Sequence, residues 1–187
     1  NFLRNTSALT AAPLVIPNLV SSASPNGKIN HAVVGTDGQG WSDLSNISTH
    51  PNVNITAICD VDTSRMAKAA AKFPNARKYQ DWRDLLESEG DRIDSVQVAI
   101  PDHMHASVSI AAMKKGKHVY CEKPLAHEIS EARAMGAWAK KSGVVTQMGN
   151  QIQSSIEYRS AVILIQNGVI GKIKEVHAWA GATFPGS

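Results

Sequence analysis

The sequence predicts an α/β protein built on a doubly wound parallel sheet, and three observations carry that prediction. Short apolar segments alternate with amphipathic ones from residue 29 to about residue 170. The first apolar segment, Ile29-Asn30-His31-Ala32-Val33-Val34, runs straight into a turn containing Gly35, Gly38 and Gly40. The second, residues 53–60, ends on the carboxylate of Asp60, about 20 residues beyond the turn. That is the layout of a βαβ dinucleotide site. Glycines let the backbone turn sharply and approach a pyrophosphate at a helix start, and the acid accepts hydrogen bonds from the adenosine ribose. The usual G-x-G-x-x-G places glycine at 37, where this chain has Asp37. That carboxylate either lies beside the pyrophosphate or turns into solvent and caps the helix; the second arrangement is favoured.

The remaining elements follow in order. Residues 41–49 form a helix with Leu44 and Ile47 on one face, stopped by Pro51. Asp62 or Thr63 caps the next helix, where Met66, Ala69, Ala70 and Phe73 recur at helical spacing until Pro74-Asn75. A short strand at 76–79 leads to a helix from Asp81, with Trp82, Leu85 and Leu86 inward and Gly90 closing it. Residues 93–100 form strand four. Met104, Val108, Ala111 and Ala112 stripe the following helix, and Lys114-Lys115-Gly116 sets cations and a glycine at its negative end. Strand five is 118–121. Ile129, Ala132, Met135, Gly136 and Ala139 mark the next helix, and strand six is 144–148. Tyr158, Val162, Ile165 and Val169 mark one more helix, its stripe read as core rather than partner surface. Residues 172–180 alternate with no helix behind them and read as the first strand of a second domain. Right-handed crossovers order the sheet 3-2-1-4-5-6. The domain organisation is a leader over 1–27, a dinucleotide-binding domain over 28–150, and a connecting helix and first strand of a second α+β domain over 151–187.

Composition sets bounds. Of 187 residues, 43% are hydrophobic and 19% charged, as in an ordinary globular protein. A formal charge of +3, with scattered Lys and Arg, speaks against nucleic acid. No apolar run approaches the ~18 residues of a membrane span. The leader begins Asn1-Phe2-Leu3-Arg4, has no acidic residue, and carries a mildly apolar run over 7–20 broken by Pro13 and Pro17. It reads as the tail of a twin-arginine export signal, with cleavage near Ala23 and a periplasmic destination.

In an open parallel sheet, ligands bind outside the C-terminal strand ends. Those ends carry Gly35 to Gly40, Asp60, Pro101-Asp102-His103-Met104-His105, Glu122-Lys123-Pro124 and Gly149-Asn150-Gln151. With Cys59-Asp60-Val61-Asp62, Ile100 to Ala106 and Cys121 to Ala126, the chain resembles the glucose–fructose oxidoreductase and inositol dehydrogenase family (Gfo/Idh/MocA) over residues 29–187. The resemblance implies that Gly35, Gly38, Gln39 and Gly40 hold the pyrophosphate and Asp60 the ribose. It implies that Pro101 and His105 line the nicotinamide wall, and that Asn150 and Gln151 complete the nicotinamide side. Lys123 then points at the nicotinamide and a substrate hydroxyl, positioned by Glu122, with a cis bond before Pro124. The family's acid/base pair, an aspartate and a histidine, belongs to a later helix outside this sequence. A homo-oligomer formed through the second domain's sheet is also implied.

The function so implied is hydride transfer between NAD and a sugar, cyclitol or related polyol. NAD is favoured over NADP because Asp60 repels a 2′-phosphate, with Arg65 the one cation placed to oppose that. The alternatives are an NAD-dependent glycosidase of the same superfamily and a non-catalytic dinucleotide- or sugar-binding protein. A lone lysine at 123 would read as a solvated loop residue, but between Glu122 and Pro124 at the ligand edge of the sheet the functional reading is favoured, while His105 is equally readable as a helix cap. His103 and His105 with Asp102 lack further ligands at metal spacing, so no metal is expected. Cys59 and Cys121 end strands that the predicted order separates, so no disulfide joins them.

Overall fold

The computed structural model describes residues 27–179. The leader expected over 1–27 lies outside the described residues except for Gly27. Six strands form one sheet: β1 (Ile29–Val34), β2 (Val53–Cys59), β3 (Arg77–Tyr79), β4 (Ser95–Val98), β5 (His118–Glu122) and β6 (Thr146–Gly149). Every neighbouring pair is parallel, and the order is β3-β2-β1-β4-β5-β6, as the right-handed crossovers require. The helices are α1 (Gln39–Ile47), α2 (Thr63–Lys72), α3 (Trp82–Glu89), α4 (Asp102–Lys114), α5 (Ile129–Ser142) and α6 (Ile156–Gln166).

The period-2 alternation of the strands divides the core into two layers. Ala32, Val34, Val96, Val98, Val119 and Cys121 pack with Leu85 and Leu86 of α3 and with Val108, Ala112 and Met113 of α4. On the opposite face, Val33, Ile55 and Ile58 pack with Leu44 of α1 and with Met66 and Ala69 of α2. Caps fix the helix starts. Asp62 accepts from the Ser64 N–H and Asp81 from the Arg83 N–H, and α5 opens on a capping box between Glu128 and Glu131. Gly143 closes α5 at φ 67°. The two cysteines are free and buried on strands that β1 and β4 separate.

Four expectations need correction. Helix α1 starts at Gln39, two residues early, because Gly38 at φ 54° lets the chain enter the helix directly from the turn. Ile129 is exposed rather than inward. Six residues at about 100° each set it about 120° away from Met135, which is the residue that α5 buries. The α6 stripe is not core. Ile156, Tyr158, Ile163, Leu164, Ile165 and Val169 are all exposed, because no described element lies over them. Residues 172–179 form no strand, since a strand exists only where a neighbour completes its ladder and none is present among the described residues.

The edge strand β3 is anchored by a buried carboxylate. Glu89, fully buried at the end of α3, accepts a two-pronged ion pair from Arg77 and a hydrogen bond from the Tyr79 hydroxyl. Burial works against the Glu89 charge, but the Arg77 and Tyr79 hydrogen bonds outweigh it and hold the carboxyl below its usual range. A depressed carboxyl contributes stability above its unfolded pKa and loses it as pH falls. Glu89→Gln is therefore expected to cost on the order of 2–3 kcal/mol near pH 7, less than a wholly buried pair because Arg77 is half exposed. Urea unfolding at several pH values checks this, with the gap to wild type closing below about pH 4.

Candidate functional site

The turn after β1 is shaped by close backbone contacts. Gly35 sits at φ 92°, and a Cβ there would overlap the Ala99 carbonyl oxygen at the end of β4. A Cβ on Gly40 would in turn overlap the Gly35 carbonyl oxygen. Both glycines are required so that α1 can begin against the sheet. Gly38 differs: nothing lies within 4 Å of the position a Cβ would take, so the space before the helix is open. No side chain caps α1. Its first amides and the positive end of its dipole therefore face that opening, which suits a pyrophosphate.

Asp60 is preset for a ribose. Its Oδ2 accepts from the Thr36 N–H (2.9 Å) and the Thr36 hydroxyl (3.0 Å), and its Oδ1 accepts from the Asp62 N–H (3.1 Å). The carboxylate is fixed in orientation with lone pairs left over. A cleft of about 650 Å³ extends from it, lined by Gly35, Asp60, Arg65, Trp82, Pro101 and Met104 among others. A smaller hollow of about 200 Å³ continues past Gln39, Gly40 and His105 to Glu122 and Lys123. Asp37, Ala99 and Ile100 border both. The result is one elongated groove, with Asp60 at the end for a ribose and Lys123 beside Glu122 at the other, and these residues fit a bound dinucleotide.

At the far end Glu122 is the hub. It is 3% exposed, its Oε2 accepts from the Lys123 backbone N–H (3.1 Å), and its Oε1 accepts from the Tyr120 hydroxyl (3.2 Å). The Gln151 amide reaches the same carboxylate at 3.3 Å. A Cβ on Gly149 would overlap Glu122 Oε1, so glycine at the end of β6 is what admits this group. Lys123 is exposed at the hollow, and the Lys123–Pro124 bond is cis.

His105 lines the hollow beside Glu122 and Lys123 and is held there on both sides of its ring. It is 1% exposed, and each ring nitrogen lies 2.7 Å from a carbonyl oxygen, Nδ1 from Pro124 and Nε2 from Ile100. It ties the loop after β4 to the loop after β5 and makes no capping bond to α4. Asn150 is not gathered in. It is exposed, lines neither part of the groove, and its backbone N–H donates to the Met148 carbonyl.

Sequence reasoning missed Thr36, Tyr120 and Asp43, and named Gly149 at the end of strand six without a role for it. Asp43 lies one turn into α1, 7% exposed, with Oδ1 accepting from the Gln39 amide at 2.8 Å. Burial, and then the neighbouring Glu122 carboxylate, push its carboxyl up to about 6 against the pull of Gln39. Its i+4 spacing from Gln39 was the available signal. Burial also raises the thiols, Cys59 to about 12 and Cys121 to about 11, which leaves both unreactive. Among the described residues no cluster of three or more His, Cys, Asp or Glu is arranged for a metal.

Asp37 is exposed at the junction of the two hollows, and its side chain makes no capping bond, contrary to the favoured expectation. An unrelieved carboxylate there repels a bound pyrophosphate by about 1 kcal/mol or more. Asp37→Asn is expected to tighten NAD binding severalfold at low ionic strength. Titration at rising salt checks the cause, because the gain should shrink as the Debye length falls.

Comparison with known proteins agrees with this geometry. The model of the Gfo/Idh/MocA oxidoreductase family, NAD-binding Rossmann fold, matches residues 29–150. An inositol 2-dehydrogenase from Rubrobacter xylanophilus is 30% identical over 154 residues, 81% of this chain and 44% of that protein. A glycosyl hydrolase family 109 protein from Solibacter usitatus is 36% identical over 119 residues, 59% of this chain and 27% of that one. Among solved structures, a 3-ketoreductase from Actinomadura kijaniata in complex with TDP-benzene and NADP superposes with a TM-score of 0.69 at 27% identity. The match covers 78% of this chain and 45% of that structure. The chain thus spans less than half the length of these relatives. With a groove of this shape and a family match over its whole sheet, the chain belongs to the Gfo/Idh/MocA family of NAD-binding oxidoreductases.

Proposed function

We propose that the protein transfers hydride between NAD and a hydroxyl-bearing carbon of a sugar, cyclitol or related polyol. The observation that carries this reading is the placement of Lys123, held through its backbone by buried Glu122 at the opposite end of the groove from Asp60. The similarity to an inositol 2-dehydrogenase supports the substrate class. Gly35, Gly38, Gln39 and Gly40 receive the pyrophosphate, Asp60 the ribose, and Pro101 and His105 line the nicotinamide wall, with Gln151 behind it on Glu122. When bound, the nicotinamide ring supplies the hydride acceptor. Lys123 donates a charge-assisted hydrogen bond to the substrate oxygen and stabilises the alkoxide character that develops there. The proton itself passes to the acid/base pair that the family resemblance assigns to a later helix. The leader is proposed to direct export by a twin-arginine route, on the strength of its apolar run and Ala23.

A glycosidase that oxidises and re-reduces a sugar on bound NAD is the second reading, favoured by the similarity to the glycosyl hydrolase family 109 protein. Free NADH accumulating with substrate turnover marks a dehydrogenase, whereas sugar release without it marks the glycosidase.

Asp60 should select NAD over NADP. Of the two arginines that line the cleft, Arg65 is already drawn to Asp62 at 3.6 Å and Arg83 to Asp81 at 3.3 Å. Paired titrations of the two cofactors check this, and tighter NADP binding would show Arg65 overriding Asp60.

In protein that turns over, Lys123→Ala is expected to lower kcat by on the order of 100-fold while changing NAD affinity far less, since its contribution is made in the transition state. Steady-state kinetics beside a direct NAD titration separate the two effects, and a near-normal kcat would remove Lys123 from the chemistry.

A further inference from the structure

Charge in this molecule is sorted between the two rims of the sheet. Every strand of a parallel sheet starts on one rim, and each crossover helix ends there, so helix C-termini gather where the strands begin. The ligand-binding rim carries the acids of the helix starts, Asp62, Asp81, Asp84, Asp102, Glu128 and Glu131. On the opposite rim Lys114 ends α4, Lys115 and Lys117 follow it, and Lys140 and Lys141 lie in the last turn of α5. The two helices pack side by side, so their ends form one surface. These five lysines exceed the chain's formal net charge of +3, so the rest of the molecule is net acidic.

Helix ends do not account for so many cations. Each helix C-terminus presents about half a negative charge. Three such ends lie here, those of α4, α5 and α3, the last reached by Lys115, whose Nζ is 3.9 Å from the place a Gly90 Cβ would take. Together they offset fewer than two of the five lysines. None of the ion pairs among the described residues involves any of the five. Of the acids on this rim, Asp94 accepts from the Asn30 N–H at 2.8 Å, and Asp91 is followed by Arg92.

The cations surround apolar side chains. Lys114 Nζ lies 4.9 Å and Lys141 Nζ 4.6 Å from the centre of the Trp138 ring. One indole attracts both ammonium groups and neutralises neither, which leaves them free to take an anion. Val145, 69% exposed, has its carbonyl bound by the Val119 N–H, so it stands where β5 and β6 begin, beside both groups of lysines. Lysines around an aromatic and an aliphatic side chain suit the headgroup layer of an anionic bilayer. The ammonium groups meet phosphates while the lysine stems and apolar groups settle below them. An acidic protein would match the charge and leave the apolar groups without a purpose. Connectivity favours the same partner. β1 starts on this rim beside exposed Lys28, so the leader joins the domain there. Its sequence has no acidic residue and an apolar run over 7–20, a second source of bilayer affinity on the same side.

We propose that the rim formed by the ends of α4 and α5, with Lys114, Lys141 and Trp138 at its centre, docks on an anionic lipid bilayer. The cofactor groove opens at the other rim and faces away from that surface, so docking leaves it accessible. The docking rests on the charge and connectivity of this rim and not on what the groove binds.

Co-sedimentation of the 187-residue chain with vesicles tests this, comparing phosphatidylcholine alone with phosphatidylcholine mixed with phosphatidylglycerol. The chain should bind the mixed vesicles at least about tenfold more tightly, and the difference should vanish near 1 M salt, where the Debye length is about 3 Å. A lysine near an anionic surface contributes about fivefold, so the double variant Lys114→Gln, Lys141→Gln should bind the mixed vesicles about thirtyfold more weakly. The double variant Lys68→Gln, Lys78→Gln removes equal charge from α2 and β3 and should bind nearly as wild type does. Both keep the leader, so a contribution from it cancels, and urea midpoints equal to wild type show that both remain folded. Equal losses in the two variants would overturn the proposal, because net charge alone would then explain the binding. Equal affinity for neutral and mixed vesicles, or no binding to mixed vesicles, would overturn it as well. Capture by immobilised polyglutamate without binding to vesicles would overturn it in favour of an acidic protein partner.

Discussion

The closeness of backbone to backbone at the end of β1 governs the rest of the molecule. Gly35 lies against the Ala99 carbonyl and Gly40 against the Gly35 carbonyl, and a single methyl group at either place would force strand and helix apart. Because they can touch, α1 begins at the C-terminal edge of the sheet with its first amides unfilled. The ends of β2, β4 and β5 then converge on the same line. The groove is thus a consequence of parallel strands with right-handed crossovers, in which every C-terminal end emerges on one side. Function sits where the packing is tightest in backbone and emptiest in side chain.

Around that opening the polar groups are arranged as two fixed carboxylates with different tasks. Asp60 is oriented by Thr36 and remains open to accept hydroxyls. Glu122 is closed: its oxygens are occupied by Tyr120, Gln151 and the Lys123 backbone. One binds and the other holds. The buried His105 clamp performs a similar holding task for the two loops that carry Pro101 and Pro124. Precision at Lys123 therefore comes from backbone and second-layer contacts rather than from the lysine side chain, which is left free for a substrate.

Much of this was legible in the sequence because local rules and global topology agree. Strand alternation, the glycine turn and the caps at Asp62 and Asp81 each point to the same sheet, and Asp60, Glu122 and Lys123 fall at strand ends where ligands bind. What was not legible depends on contacts between residues distant in the chain. Asp43 reads as any polar position of α1 until the fold buries it, and nothing in the spacing of His105 reveals two carbonyls on either side of its ring. The α6 stripe shows the opposite limit: apolar periodicity says which face wants cover, and does not say that cover is present. Residues 172–179 alternate like a strand, yet a strand is a relation between two segments and one segment cannot form it.

The central claim is that one groove takes a dinucleotide end to end, and amide chemical-shift mapping with NAD tests it most directly. The account requires shifts at both extremes together, at Gly35, Gly38, Gln39 and Asp60 and also at Glu122 and Lys123, with little change in the separate groove between α2 and α3 around Ala67, Ala70 and Asp84. Shifts confined to that outer groove, or to the Asp60 end with Lys123 unmoved, would contradict it.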